Sequence, residues 1–162
     1  MISVACLTVS DSCFDGTREN CSGPAMRACV ESLNDSDNHF VVFKALIVPD
    51  DLNQIKSALL ASCDEKADII VTSGGTGFSE RDITPEATKC VIQKECPGIV
   101  AAIMNRSLQV TPLAALSRLV CGIRGSTFII NLPGSPKAVK VNTTKVFLSS
   151  LMANRVKTDK LK

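Results

Sequence analysis

Long apolar runs alternate along the chain with segments of helical period. Residues 2–9 (ISVACLTV) are apolar at almost every position, as expected for a strand that is buried on both faces. Similar runs predict further strands at 40–48, 67–71 and 127–132. After each run, apolar side chains return at helical spacing. The pattern therefore predicts an alternation of strands and helices.

Helix-start signals stand between these runs. Either Asp50 or Asp51 can cap a helix over 52–63. Thr84-Pro85-Glu86 joins a hydroxyl cap, a proline and an acid in one first turn. The other predicted helices lie at 22–33, 99–108, 111–118 and from 135 to about Arg155, and a charged tail follows at 156–162.

The order of these elements, without a tight hairpin signal, is typical of an α/β fold. We predict one three-layer domain over residues 1–155, in which a mostly parallel sheet carries helices on both faces. Ligands bind such sheets beyond the carboxyl ends of the strands. Polar or glycine-containing segments follow the four predicted strands, at 10–12, 49–50, 73–77 and 133–135. We expect these segments to meet at one edge of the sheet and to form a binding site.

Composition narrows the class of protein. The chain of 162 residues has a net charge of +2 and no basic stripe with interleaved aromatics, so we expect no nucleic-acid partner. No apolar run reaches the roughly 18 residues of a membrane helix, and the N-terminus lacks the basic region of a signal peptide, so we expect no membrane association. The eight cysteines show no C-x-x-C spacing, which favours free thiols in a reducing cytoplasm.

The segment SGGTG at 73–77 offers backbone N–H groups that an anion can approach closely. It is not a Walker A loop, because no lysine follows a glycine at the required spacing. Glu80 stands where a dinucleotide fingerprint needs its third glycine, which argues against a nicotinamide-dependent oxidoreductase. A plain turn between a strand and a loop is the other interpretation of these glycines.

Two carboxylates accompany the glycine segment. Asp82 follows it, and Asp50 stands at the end of a neighbouring predicted strand. Two acids beside a polyphosphate suit a hard ion such as Mg²⁺. A salt bridge from Asp82 to an arginine, and a helix cap by Asp50, remain open as structural alternatives. The one histidine, His39, lies in a polar turn, so the sequence offers no Ser-His-Asp set.

The sequence TSGGTGFSERDITPEAT, together with VSDS, VPD and INLPGSPKAV, resembles the molybdenum-cofactor adenylyltransferases. These are the MogA/MoaB-type proteins of bacteria and the G domains of gephyrin and its plant counterpart, and the likeness is strongest to the gephyrin G domain. It covers residues 2–151. The resemblance implies an α/β homotrimer that binds Mg-ATP and molybdopterin, joins AMP to the pterin's terminal phosphate with loss of pyrophosphate, and passes the product to a molybdenum insertase.

The resemblance also implies roles for particular residues. Asp50 and Asp82 fall on the two essential acids and are the expected Mg²⁺ ligands. The expected nucleotide-binding residues are Gly74, Gly75, Thr76, Gly77 and Glu86. The expected molybdopterin-binding residues are Ser10, Asp11, Ser117, Pro133, Gly134 and Ser135.

Adenylyl transfer agrees with this residue set, because the attacking phosphate oxygen is already anionic and needs no general base. Two alternatives remain: a molybdopterin-binding protein without turnover, and a trimeric scaffold domain related to the gephyrin G domain. The chain departs from its relatives at Asn20-Cys21, in a loop after the first strand, and at Lys140-Val141. Neither departure touches the glycine segment or the two acids.

Overall fold

A computed structural model of the chain describes residues 1–142. Its strands are β1 (Ile2–Val9), β2 (Phe40–Val48), β3 (Ile69–Ser73), β4 (Lys94–Glu95), β5 (Cys121–Arg124) and β6 (Thr127–Leu132). Its helices are α1 (Asp11–Phe14), α2 (Ser22–Glu31), α3 (Leu52–Asp64), α4 (Thr84–Lys89), α5 (Pro97–Val110) and α6 (Pro136–Asn142), with a short 3₁₀ helix at Pro112–Leu116. The predicted continuation of the last helix to Arg155 and the predicted tail at 156–162 lie outside the described residues.

The six strands form one sheet in the order β2-β1-β3-β6-β5-β4. The first four are parallel to one another, whereas β5 runs antiparallel to β6 and β4 antiparallel to β5. Val9 pairs with Val48, and Ser73 pairs with Leu132, so the carboxyl ends of the parallel strands lie at one edge. The predicted fold class, a mostly parallel sheet in an α/β domain, is confirmed.

We saw no signal for a tight hairpin in the sequence, but the structure contains one between β5 and β6. Arg124 pairs with Thr127, which leaves a two-residue loop of Gly125 and Ser126 between β5 and β6. Gly125 has a φ of 55°, a conformation that suits glycine in such a loop. The strands β4 and β5 are only two and four residues long, too short for a hydrophobic period to indicate.

Some element boundaries in the structure also differ from the predicted ones. The third strand covers 69–73 rather than 67–71, because its last two residues, although polar, are buried inside the domain. There the Thr72 hydroxyl accepts a hydrogen bond from Asn131, and the Ser73 hydroxyl donates one to the Pro133 carbonyl. The predicted helix at 111–118 is the 3₁₀ helix, which Thr111 caps by accepting from the Leu113 amide. The four-residue helix α1 was not predicted.

Two apolar layers hold helices to both faces of the sheet. In β1, Val4 and Cys6 belong to one layer and Ala5 and Leu7 to the other, as the alternation along a strand requires. The first layer contains buried side chains of α2, α5 and α6, among them Met26, Val30, Ile103 and Val139. The second contains those of α3 and α4, among them Ile55, Leu59 and Ala87. Within residues 1–142, no helix has the length and apolar character needed to cross a membrane.

Candidate active site

The loops at the carboxyl edge of the sheet are in direct contact, as the sequence predicts. The Gly74 amide donates to the Leu132 carbonyl at 3.3 Å, which continues the β3–β6 pairing into the loops. The Gly134 carbonyl accepts from the Ser22 hydroxyl at 2.7 Å. A Cβ atom on Gly134 would lie 3.2 Å from the Cα of Gly74. The glycine segment and the 133–135 loop therefore pack backbone against backbone.

Two glycines of the segment occupy positions that no other residue fits. Gly74 and Gly75 have φ values of 102° and 62°, in the left-handed region. A Cβ on Gly74 would lie 2.1 Å from the Val9 carbonyl oxygen. A Cβ on Gly75 would lie 2.3 Å from the Thr84 hydroxyl and 2.9 Å from Oδ1 of Asp50. The turn is pressed against the end of β1, the start of α4 and the Asp50 carboxylate.

The predicted hydroxyl cap at Thr84 is wrong. The N-cap position of α4 is Ile83, and no side chain caps the helix. Thr84 is fully buried, and its hydroxyl donates instead to the Gly74 carbonyl at 2.9 Å. The Thr84 amide donates to the Gly75 carbonyl at 3.0 Å. This threonine fixes α4 to the glycine turn.

The alternative that Asp50 caps α3 is also settled by the structure. Asp51 is the cap and accepts from the Gln54 amide at 2.9 Å. The Asp50 carboxylate accepts instead from the Asp11 amide. Burial, opposed by this hydrogen bond, raises the pKa of Asp50, and the negative charges of Asp11 and Asp82 add to the increase. Asp50 is therefore an acid in an electronegative surrounding.

Arg81 binds the Asp11 carboxylate with two hydrogen bonds, from Nε at 2.9 Å and from Nη2 at 2.8 Å. These bonds, with the Asp50 amide as a further donor, lower the pKa of Asp11. Ser10 lies beside Asp11, and its hydroxyl accepts from the Cys13 amide as the cap of α1. Sequence reasoning placed Asp11 at the site but did not find its partner Arg81, for which no local pattern is a signal.

Asp82 lies at the end of the glycine segment, against Gly77. Its Oδ2 accepts from the Ser79 amide at 3.0 Å and would lie 2.8 Å from a Cβ on Gly77. In residues 1–142 the Asp82 side chain takes part in no salt bridge, so the structure does not support that alternative. Its carboxylate is close enough to raise the pKa of Asp50. The two predicted acids thus lie against the same glycine segment, Asp50 at Gly75 and Asp82 at Gly77.

Arg118 is a residue of this site that the sequence interpretation missed. Its guanidinium donates to the Gly77 and Asp82 carbonyls and pairs with the Glu86 carboxylate. Burial tends to raise the pKa of Glu86, but the hydrogen bond from Arg118 lowers it below its ordinary value. The only available signal was its place after Ser117, a residue that was singled out for another role.

Two cavities flank this edge. An open one of about 530 Å³ is lined by Phe78, Ser79, Glu80, Asp82, Ile83, Glu86 and Arg118. A second, of about 350 Å³, is lined by Ser107, Val110, Thr111, Leu113, Ala114, Ser117, Pro133, Ser135, Lys137 and Ala138. The expected nucleotide-binding residue Glu86 therefore lines the first cavity, and the expected pterin-binding residues Ser117, Pro133 and Ser135 line the second. Ser10 and Asp11 line neither cavity and lie beside Asp50.

The donor set at this edge suits one hard divalent ion. In the part of the chain that the structure describes, no cluster of three or more His, Cys, Asp or Glu side chains has the arrangement of a metal site. Mg²⁺ needs fewer protein ligands, because it commonly binds one or two carboxylates together with substrate phosphates. Asp50 and Asp82 fit this requirement, since burial, and after it the charges of Asp11 and Asp82, raise the pKa of Asp50, and a bound cation would offset both effects.

The fold and the site define a class: an α/β domain with a glycine turn beside two carboxylates at the carboxyl edge of its sheet. Residues 5–153 match the family described as probable molybdopterin binding domain, and the chain belongs to this family. It is 41% identical over 149 residues to a molybdopterin adenylyltransferase of Helicobacter pylori strain J99, covering 90% of this chain and 82% of that protein. This finding confirms the resemblance seen in the sequence.

Two further comparisons agree. The chain is 44% identical over 140 residues to the molybdenum cofactor synthesis protein cinnamon of Drosophila melanogaster, covering 86% of this chain but only 23% of that longer protein. Among solved structures, the MoaB molybdopterin biosynthesis enzyme of Thermus thermophilus superposes with a TM-score of 0.81 at 41% identity, covering 90% of this chain and 89% of the other.

Proposed function

We propose that the chain is a molybdopterin adenylyltransferase of molybdenum cofactor biosynthesis. It transfers AMP from ATP to the terminal phosphate of molybdopterin and releases pyrophosphate. The observation that carries this proposal is that the carboxylates of Asp50 and Asp82 lie against Gly75 and Gly77 of the same glycine segment. The names of the relatives support the same activity.

The reaction is an in-line displacement at the α-phosphorus of ATP. An anionic oxygen of the pterin phosphate forms a new P–O bond, while the bond from the α-phosphorus to the bridging oxygen breaks. Pyrophosphate leaves with that electron pair. Because the nucleophile is already ionised, no proton must be removed, and the protein's task is to position and neutralise charge.

Asp50 and Asp82 are the residues that would hold Mg²⁺, which when bound neutralises charge on the triphosphate. In the glycine segment, Gly74 to Gly77, the residues Gly75 and Gly77 carry no side chain that would keep phosphate oxygens away from their backbone amides, whereas the Gly74 amide already donates to the Leu132 carbonyl. Glu86 contributes to the nucleotide side. It lines the first cavity, where Arg118 holds its carboxylate.

The second cavity suits the pterin. It combines the hydroxyls of Ser117 and Ser135 with the apolar surface of Pro133 and the cation of Lys137. A flat heterocycle that carries hydrogen-bonding groups and a phosphate matches these side chains in kind. Gly134 belongs to the same loop as Pro133 and Ser135, whereas Ser10 and Asp11 lie outside this cavity, beside Asp50.

We also propose that the chain forms a homotrimer and passes its product to a molybdenum insertase, as the resemblance implies. Leu108, Leu113 and Leu116 are 45%, 71% and 51% exposed at one end of the domain, which suits a contact between copies. Sedimentation of the wild type and of Leu113→Glu tests the trimer. We expect the molecular mass of the wild type in solution to be three times that of the monomer, and that of the variant to fall towards the monomer mass.

Pyrophosphate release, measured with molybdopterin and ATP in the presence and absence of Mg²⁺, tests the proposed activity. We expect release that requires all three components. Calorimetric titration with molybdopterin is the companion measurement. Binding without pyrophosphate release would indicate the non-catalytic binding or scaffold alternative, and absence of both would overturn the proposal.

A further inference from the structure

We propose that Arg118 is a positioning residue for adenylyl transfer: its guanidinium closes the loop at 77–82 and so fixes the direction of the Asp82 carboxylate. The inference rests on the proposed function for its consequence on turnover. Its structural part, the closure of the loop, can be tested independently of any reaction.

The geometry of Arg118 carries the proposal. Nε donates to the Gly77 carbonyl at 2.7 Å, and Nη2 donates to the Asp82 carbonyl at 2.6 Å. Nη1 pairs with the Glu86 carboxylate in α4. The Arg118 amide donates to the Thr76 carbonyl at 2.8 Å. Arg118 thus joins the two ends of the loop at 77–82 to each other and attaches them to α4.

Besides Arg118, one side chain attaches the loop to the rest of the domain: Arg81 pairs with Asp11, in an ion pair that is largely exposed and therefore weak. The side chains at 78–81 are all exposed, and that of Phe78 is 68% accessible, so no apolar packing holds this stretch. Its internal hydrogen bonds join Ser79 to Asp82: the Asp82 amide donates to the Ser79 carbonyl at 3.0 Å, and the Asp82 carboxylate accepts from the Ser79 amide. These bonds shape the turn but do not attach it to the domain.

The chemistry of arginine suits this role, and lysine does not. A guanidinium presents donors in a rigid planar fork, which can serve three acceptors at fixed angles. A lysine ammonium has the same charge but offers a single nitrogen, so it cannot reach Gly77, Asp82 and Glu86 at once. Arg118→Lys therefore removes the hydrogen bonds that close the loop but keeps the positive charge.

The consequence for the reaction follows from the position of Asp82. A displacement of about 1 Å at a positioned group can lower a rate by about 10²-fold. We expect Arg118→Lys to fold and to lose roughly 10- to 100-fold in kcat. The Mg²⁺ concentration for half-maximal rate should rise several-fold, whereas KM for ATP should change less, because the disturbed group is the expected metal ligand.

The kinetic test compares Arg118→Lys and Arg118→Ala with a matched control, Arg124→Lys. Arg124 is also partly buried, and the structure gives its guanidinium one hydrogen bond, to the Val91 carbonyl. The control should keep wild-type kinetics. Guanidinium ions at millimolar concentration, far below those that denature, should restore part of the turnover of Arg118→Ala. The proposal would be overturned if Arg118→Lys had the kcat and the Mg²⁺ dependence of the wild type. It would also be overturned if the variants lost activity only in proportion to a lower Tm and guanidinium restored none of the activity of Arg118→Ala.

Hydrogen exchange of the amides at 76–83, in the absence of substrates, tests the loop itself. We expect exchange in this segment to quicken in both Arg118 variants and to stay unchanged in Arg124→Lys, while the β1 amides keep their protection. This measurement tests the role of Arg118 in the loop even if the wild type releases no pyrophosphate. Absence of pyrophosphate release would contradict the proposed function alone. Unchanged exchange at 76–83 would overturn the role of Arg118.

Discussion

Asp11 and Asp50 exchange hydrogen bonds: the backbone amide of each donates to the carboxylate of the other, at 2.9 Å in both directions. The pair joins the loop after β1 to the loop after β2, and Arg81 attaches the glycine-segment loop to the same Asp11 carboxylate. Despite this symmetry the two acids differ. Burial raises the pKa of Asp50, whereas the Arg81 hydrogen bonds lower that of Asp11.

The opposite shifts predict opposite effects on stability. Asp50 holds its proton more tightly when folded, so its ionised form costs stability above the ordinary aspartate pKa of about 3.9. Asp50→Asn should therefore raise Tm at neutral pH without Mg²⁺, and the gain should vanish below that pH. Asp11 stabilises the fold when ionised, so Asp11→Asn should lower Tm slightly at neutral pH. This difference in Tm should disappear only as the pH falls below the ordinary aspartate value and through the depressed pKa of the folded protein.

Melting curves over a range of pH in the presence of EDTA check both signs. A lower neutral-pH Tm for Asp50→Asn than for the wild type would show that the Asp50 charge is not penalised in the folded protein. The effect of Asp11→Asn is expected to be small because its ion pair with Arg81 is largely exposed.

Asp82→Asn should fold normally but lose at least ~10² in adenylyl transfer, because the expected metal ligand loses its charge. Pyrophosphate release at saturating Mg²⁺ is the measurement. Asp64→Asn is the matched control, since Asp64 is an exposed aspartate at the end of α3 and should be neutral. Near-wild-type turnover of Asp82→Asn would remove Asp82 from the mechanism.

Asp50 and Asp51 are adjacent, and the structure assigns them different tasks. Asp51→Ala removes the cap of α3 and should cost about 1 kcal/mol in the free energy of unfolding, with turnover preserved. Asp50→Ala should lose turnover and its dependence on Mg²⁺. Urea unfolding and pyrophosphate release, measured on both variants, separate the two effects. Equal losses of turnover would mean that Asp51 also serves the metal.

Gly74→Ala should destabilise the protein more than Gly16→Ala. Both glycines have left-handed φ values, 102° and 76°, so both substitutions carry backbone strain of about 1 to 3 kcal/mol. Only at Gly74 does a Cβ also meet a backbone atom, the Val9 carbonyl oxygen at 2.1 Å. Urea unfolding of the two variants isolates this close approach. Equal losses would show that the ends of β1 and β3 can separate without cost.

The fold was largely predictable because its main elements carry strong local patterns. The strands at 2–9, 40–48 and 127–132 have the boundaries that their apolar runs predict. The antiparallel edge was not predictable in the same way. Strands of two and four residues form there because β6 offers a partner edge, and such pairing leaves no period in the sequence.

The candidate site was predictable in part. Asp50, Asp82 and the glycine segment stand at strand ends or directly after them, and the ends of parallel strands must meet. Neither the contact of Arg81 with Asp11 nor the role of Arg118 could be derived from the sequence, because a single arginine in a polar segment resembles any solvated cation. Thr84 was misinterpreted as a cap: it lies one residue inside α4, after the N-cap position Ile83, and its hydroxyl donates to the Gly74 carbonyl instead of accepting from a helix amide.

The sequence by itself determined where strands and helices form and which polar groups follow each strand, because periodicity and turn chemistry act over a few residues. Only the tertiary structure decided which of those groups touch. The amide of Asp11 meets Asp50 across 39 positions, and the guanidinium of Arg118 meets the Asp82 carbonyl across 36. Such contacts depend on strand order and loop path, which arise from the packing of the whole chain and not from any short segment of it.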